Sequence, residues 1–150
     1  MIAIIQRVSQ AAVQIEGKEK SSIGKGLMIL LGIGREDTDE DIEWLSRKIV
    51  QLRIFDDEEG KMNKSLKEVN GDILLVSQFT LHASTKKGNR PGYNEAAPPE
   101  AAIPLYNKMI AFLEQAMEKP IGTGTFGAMM QVSLINDGPV TIPIDTKNKR

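Results

Sequence analysis

The densest set of chemically capable side chains lies in "LLVSQFTLH", residues 74–82. Ser77, Thr80 and, two residues past the stretch, Ser84 place hydroxyls near His82, the one histidine of the chain. Those types could make a Ser–His or Thr–His nucleophile. The spacing works against it. Thr80 and His82 share one face of a strand, side chains two apart diverge, and no orienting carboxylate is nearby. Backbone chemistry is the other route. A buried strand that ends in Ser77-Gln78-Phe79-Thr80 and enters a long polar loop frees its last amides from the ladder. Amides aimed together can hold a carbonyl or a developing oxyanion. Ser77 and Gln78 bonding within an ordinary strand end is the plainer account of the same letters, and the residues alone leave both open.

A second candidate is "NDGPVT", Asn136 to Thr141, set between two apolar runs. An X-Pro bond is cis in only roughly 5–6% of folded cases, so a trans turn is the default for Gly138-Pro139. A cis bond would point two successive carbonyls nearly the same way, and glycine leaves space in front of them. Such a rigid acceptor pair could test the handedness of a small ligand. "KKGNR" gathers Lys86, Lys87 and Arg90 on one loop, which suits phosphates or simple solubility. The acidic runs "DTDED" and "DDEE" follow the pattern of solvated faces. "GIGRED" lacks the third glycine of a dinucleotide fingerprint and the Lys-Ser/Thr of a phosphate loop.

Composition narrows the class. The 150 residues suit one domain, 41% are hydrophobic, and 19 basic against 20 acidic residues give a net charge of −1. That balance supplies no global pull towards nucleic acid, so such a contact must come from a local patch. No cysteine and a single histidine exclude disulfides, thiolate chemistry and a Cys/His zinc site. The opening residues lack the pattern of a secretion signal, and no window approaches 18 apolar residues. A cytoplasmic protein, needing no metal or cofactor and no membrane, is the expectation.

The positioning elements follow from periodicity. "IAIIQRVSQAAVQIEG" and "LMILLGI" read as strands separated by a polar turn region, residues 17–26. Ile42, Leu45, Ile49 and Leu52 recur at helical spacing behind an acidic first turn, predicting an amphipathic helix capped near residues 37–39. "DDEEGKMNKS" reads as a solvated loop, and "DILLVSQFTL" as a strand buried on both faces. A long polar loop leads to a second helix, "LYNKMIAFLEQAME", with Leu105, Met109, Phe112, Leu113 and Ala116 inward and Pro104 in its first turn. "GAMMQVSLI" and "PVTIPI" supply the last strands, and "DTKNKR" is expected to fray. The sum is a mixed α/β domain over residues 1–150 with helices on one side.

Taken together, "SQFTL" and "NDGPVT" resemble the paired signatures of the D-aminoacyl-tRNA deacylases. "QRV" at residues 6–8, "KGNRPGY" at 87–93 and "FGAMMQVSLINDGPVT" at 126–141 fall in that family's order, so the resemblance spans the chain. It implies a compact fold of two β-sheets with helices packed in layers, and a homodimer with active sites at the subunit interface. The implied reaction is hydrolysis of the ester joining a D-amino acid, or glycine mischarged on alanine tRNA, to the terminal adenosine of tRNA. Ser77, Gln78, Phe79 and Thr80 would be the catalytic segment, with the Phe79 and Thr80 amides on the oxyanion and Gln78 positioning the adenosine. Gly138 and Pro139, cis in that family, would reach into the partner's site, present carbonyls to the substrate amino group and collide with an L side chain. Arg7 would hold that motif, and Asn136 belongs to the same substrate-binding set. Thr80 has no evident base, so the expected mechanism uses oriented amides and the ribose 2′-hydroxyl. The resemblance gives His82 no role. The placement of Lys86, Lys87 and Arg90 near tRNA phosphates comes from their charge, not from the family.

Rival readings remain. A sibling editing enzyme carries the Gly-Pro bond in trans and accepts L-alanine on tRNA. A nucleic-acid-binding dimer without catalysis would favour a long basic C-terminal extension, which the sequence does not show after its last strand. A structural dimer would turn over no aminoacyl ester.

Overall fold

The computed structural model describes residues 1–149; Arg150, in the tail expected to fray, lies outside them. Strand β1 (Ile2–Ile15) is the spine of the molecule. Along one edge it pairs antiparallel first with β3 (Gly26–Gly32) and then with β2 (Lys18–Ile23), and along the other with β8 (Gln131–Asp145). Parallel pairs then join β3 to β6 (Asp72–Ser77) and β6 to β7 (Gly122–Thr123). Ser21 of β2 ties the far edge back: its hydroxyl donates to the Thr123 carbonyl at 2.7 Å and accepts from the Thr123 amide at 3.2 Å. The sheet therefore nearly closes into a barrel. A small hairpin, β4 (Phe55–Asp56) with β5 (Met62–Lys64), forms the second sheet.

Two apolar clusters fill the two faces of the sheet. Ala3, Ile5, Leu27, Ile29 and Leu31 pack against helices α1 (Asp39–Gln51) and α2 (Pro99–Met117), while Val8, Ala11, Val13, Met28, Leu74 and Val76 fill the inside of the curve. Alternation alone cannot place Ala3 and Ala11 on opposite faces. The register between β1 and β8 shifts across Val8–Gln10, and the extra residue Ser9 inverts the parity of the strand. Arg7, upstream of the bulge, keeps the parity of Ala3 and Ile5 and so faces the helix side.

The expected class, an α/β domain with helices on one side, is what the chain adopts. The α1 stripe runs through Ile42, Leu45 and Ile49 as expected, capped by Thr38, whose amide donates to Asp41 Oδ2 at 2.8 Å. Several details correct the sequence reading. The region 17–26 holds β2 rather than only a turn, and the loop after α1 folds into the β4–β5 hairpin. Helix α2 begins at Pro99, so Pro104 sits in its second turn. Pro104 and Glu100 are both exposed, which lets water satisfy the carbonyl that the missing N–H leaves. The inner stripe of α2 is Ala102, Tyr106, Met109, Leu113 and Met117, with Phe112 36% exposed. The tail is anchored beyond Asp145: Thr146 is buried and Lys147 pairs with Asp41 at 2.8 Å. Finally, "NDGPVT" is no hairpin tip. Both flanks of it pair with β1, so it interrupts a single long strand.

Candidate functional site

Two structures stand out, each built on an irregularity in the sheet. The first is the end of β6. The ladder stops at Ser77, paired with Leu31, and the Gln78 amide makes the last sheet-like bond, to the Leu31 carbonyl at 2.8 Å. The chain then turns through one 3₁₀ turn, Phe79–His82, where a continued strand was expected. The turn is possible because β3 ends in glycines. A Cβ at Gly32 would stand 2.9 Å from both the Gln78 carbonyl and Leu81 Cβ, and one at Gly34 would stand 3.0 Å from His82 Cε1. The "GIG" set aside in the sequence thus has a packing role beneath the candidate site.

The change from strand to turn releases the amides of Phe79 and Thr80. Both lie in the first turn, ahead of any intrahelical acceptor, and neither donates to a protein acceptor among the described residues. The Leu81 and Ala83 amides return to Gln78 and Thr80. Gln78 Nε2 donates to the Thr80 hydroxyl, which is exposed. His82 turns away from that hydroxyl: its Cδ2 and Cε1 edge packs on Gly32 and Gly34, leaving Nε2 buried without a partner. The Thr–His dyad weighed from spacing is therefore not formed.

Ser77, Gln78 and Phe79 line a cavity of about 340 Å³ whose floor and far wall are largely apolar. Leu31, Ile33 and Val76 come from the strand ends, Ala102 from α2, and the segment Phe126–Met130 closes the side. The resemblance runs through that segment but marks no single residue in it. Its signal was weak because Met and Gly carry no chemistry of their own. Below the cavity Tyr106 packs against Phe126 and donates to the Leu75 carbonyl at 3.0 Å. Burial pushes its hydroxyl up to about 12, so it stays a neutral donor.

The second structure is the bulge in β8. Gln6 pairs with Thr141 and Val8 with Asn136, so Arg7 alone faces residues 137–140. Those residues loop out, with Gly138 and Pro139 exposed, a cis bond between them and Gly138 at φ 136°. The trans arrangement of the sibling reading is not the one this chain has. Asn136 braces the loop: its Oδ1 accepts from the Val140 amide at 3.1 Å and its Nδ2 donates to the Thr141 hydroxyl at 2.9 Å. Arg7, 7% exposed, anchors it through Nε to the Asp137 carbonyl at 3.0 Å and Nη1 to the Ile54 carbonyl at 2.7 Å. Its charge also meets Asp56 and Asp137 at 3.4 and 3.5 Å.

The structure thus gathers Ser77, Gln78 and Phe79 at one cavity, with Thr80 beside it, and Arg7, Asn136, Gly138 and Pro139 at the bulge. It does not bring the two groups together in one chain, since none of residues 136–140 lines the cavity. Lys86, Lys87 and Arg90 are exposed on a loop closed by reciprocal bonds between Ser84 and Gly92, and none forms an ion pair among the described residues. No helix among the described residues is long and apolar enough to cross a membrane.

Comparison with known proteins gives three findings. The profile of the D-Tyr-tRNA(Tyr) deacylase family matches residues 4–145. A protein of Bacteroides thetaiotaomicron named D-aminoacyl-tRNA deacylase is 64% identical over 149 residues, 99% of either chain, and one of Cytophaga hutchinsonii with the same name is 63% identical over 150 residues, all of both. Among solved structures, the "c-Myc DNA Unwinding Element Binding Protein" superposes with a TM-score of 0.91 at 45% identity, covering 97% of this chain and 98% of that one. A probable eukaryotic D-amino acid tRNA deacylase, at 20% identity, shares the fold with a TM-score of 0.78 over 95% of this chain and 98% of its own.

Proposed function

The chain belongs to the D-Tyr-tRNA(Tyr) deacylase family, hydrolases of the ester in D-aminoacyl-tRNA, and we propose that it cleaves that ester at the end of β6 with backbone amides rather than an acid–base side chain. The observation that carries this reading is the pair of amides, Phe79 and Thr80, that have no partner among the described residues and stand at the rim of a cavity whose described lining offers no side chain as a base. The two N–H groups donate to the carbonyl oxygen of the ester as negative charge forms on it. In other hydrolases one such donor contributes on the order of a hundredfold or more in rate, so two can carry much of the catalysis. Water attacks the carbonyl carbon and gives up a proton through the 2′-hydroxyl of the substrate's own ribose; the bond to the 3′-oxygen then breaks, and that oxygen leaves as a hydroxyl carrying the relayed proton. Gln78, on the cavity wall, positions the adenosine.

Selection by handedness falls to Gly138 and Pro139, acting on the cavity of a second subunit. Their exposure, and their distance from the wall of their own cavity, support a homodimer in which each bulge enters the partner's site. Carbonyls presented to the substrate amino group leave no room for an L side chain, whereas a D side chain points outward and glycine has none. A clash of this kind rejects more strongly than a pocket that merely excludes a methyl, worth about 1–3 kcal/mol. Glycyl esters mischarged on alanine tRNA are therefore substrates as well. The acceptor end of tRNA is held by the local charge of Lys86, Lys87 and Arg90, and the place of work is the cytoplasm.

The name of the 45% identical solved chain, which speaks of binding a DNA element, supports a nucleic-acid-binding role as second reading. One experiment separates them: parallel deacylation of D-Tyr-tRNA, L-Tyr-tRNA and glycyl-tRNA. Cleavage of the D and glycyl esters with the L ester spared is the expected result. Cleavage of L esters would remove the gate, and cleavage of none would leave the binding reading.

A further inference from the structure

Immediately after the basic loop, the Tyr93 ring meets Phe79 edge-on, with centroids 5.0 Å apart and planes at 69°. Both residues stay part-exposed, Phe79 at 54% and Tyr93 at 37%. Two aromatic side chains left part-exposed, one of them on the cavity wall, forgo burial at roughly 25 cal/mol for each Å² of apolar surface that stays in water.

The backbone on the Tyr93 side is nonetheless tied down. Gly92 exchanges two bonds with Ser84, and the Tyr93 carbonyl accepts from Ala96 at 3.1 Å. Arg35 holds the next two residues, with its amide on the Glu95 carbonyl at 3.0 Å and its Nε on the Asn94 carbonyl at 2.5 Å. Ala97 returns to the Ile33 carbonyl at the end of β3. Part-exposed rings that follow directly on the loop carrying Lys86, Lys87 and Arg90, which form no ion pair among the described residues, fit a planar ligand that carries negative charge on its backbone.

We propose that Tyr93 and Phe79 form a stacking platform for the nucleobase that precedes the ester-bearing adenosine, with the intervening phosphates facing Lys86, Lys87 and Arg90. The proposal rests on the deacylase reading for its substrate. Every base offers a π face, so stacking recognises an acceptor end without reading its sequence, and the cations supply the attraction that a protein partner would not need. The platform adds affinity for tRNA that the cavity alone does not give.

The test compares D-Tyr-tRNA with D-tyrosyl-adenosine, which lacks the preceding nucleotide, as substrates of the wild type, Tyr93→Ala and Tyr93→Phe. Tyr93→Ala should raise KM for the tRNA ester roughly tenfold, the size of one lost base–aromatic stack, with a far smaller change for the adenosine ester. Tyr93→Phe should behave as wild type. Equal losses on both esters would mean that the ring only props Phe79, and no loss on either would mean that nothing stacks there. A fall in sedimentation coefficient on Tyr93→Ala would assign the rings to a contact between copies of the chain. Each of these overturns the platform. A second readout is independent of turnover: an amide-linked D-tyrosyl acceptor minihelix with 2-aminopurine at the penultimate position. Its fluorescence should change on binding the wild type and not on binding Tyr93→Ala. Should the wild type cleave neither ester, the deacylase reading falls, while the minihelix still decides the platform.

Discussion

Arg7 and Asp137 are joined twice, by Nε donating to the Asp137 carbonyl at 3.0 Å and by the same nitrogen lying 3.5 Å from the Asp137 carboxylate. With Nη1 on the Ile54 carbonyl, one buried guanidinium couples the β8 bulge to the segment that follows α1. Arg7→Ala removes charge-assisted bonds and leaves a buried carbonyl unpaired, a cost of about 2–3 kcal/mol in urea unfolding. Arg7→Lys cannot reproduce the fork and should fall between. The ratio of D- to L-ester cleavage should drop in both, and more in Arg7→Ala. An Arg7→Ala protein as stable and as selective as wild type would end the anchoring role.

At Gly138 the backbone and the space in front of it restrict the residue together. Its φ of 136° is one that side-chain-bearing residues rarely adopt, and a Cβ would stand 2.8 Å from Val140 Cγ2 and 3.2 Å from Arg7 Nη2. Gly138→Ala must move the bulge, at a strain of about 1–3 kcal/mol if it stays. Because the loop is exposed, the sheet should survive with a small change in unfolding midpoint. Selectivity should suffer instead, with the D-to-L ratio falling roughly five- to a hundredfold on the scale of that strain. Unchanged kinetics in a folded Gly138→Ala protein would detach the motif from substrate selection.

Thr80 tests the amide mechanism directly. Its hydroxyl accepts from Gln78 Nε2, and His82 is packed away from it on Gly32 and Gly34. Thr80→Val keeps the shape and the backbone N–H while removing the oxygen. If the amide and the ribose hydroxyl carry the step, kcat should fall by less than about tenfold, the share of one neutral hydrogen bond. A loss of roughly three orders of magnitude or more would make the hydroxyl a nucleophile and sink the mechanism.

How far the sequence discloses all this depends on whether a residue acts through its type or through its neighbours. Apolar periodicity locates β1, β3, β6 and both helices, because burial repeats along an element. It misses β2, whose residues "KEKSSI" are mostly exposed at the rim of the sheet and read as a turn. It also extends β6 through Phe79, Thr80 and Leu81, since nothing local announces a 3₁₀ turn. The cause lies more than forty residues away, where Gly32 and Gly34 leave the room that the turn occupies. Ser77–Thr80 and Gly138–Pro139 were visible as letters, and their separation within one chain was not. Tyr93 went unmarked because an aromatic residue in a polar loop gains meaning only from the Phe79 ring beside it.

Acid should loosen the fold through Asp41. Its carboxylate is 7% exposed and accepts from the Thr38 amide at 2.8 Å and from Lys147 Nζ at 2.8 Å. Burial pushes the group up, but the bonds from Lys147, Thr146 and Thr38 outweigh it and hold the folded carboxyl well below its ordinary 3.8. A carboxyl depressed in the folded state contributes stability that is complete above its unfolded value and is lost as pH falls through the folded one. Wild-type urea midpoints should therefore hold from about pH 7 to pH 5 in respect of this group and decline below about pH 4. Asp41→Asn removes this titration, giving a protein less stable at neutral pH with a shallower acid slope. Lys147→Met should flatten the slope as well, because the depression loses its strongest source while burial still raises the group. Acid slopes identical in all three proteins would show that other carboxyls govern the acid limb and that Asp41 is titrating as it does in the unfolded chain.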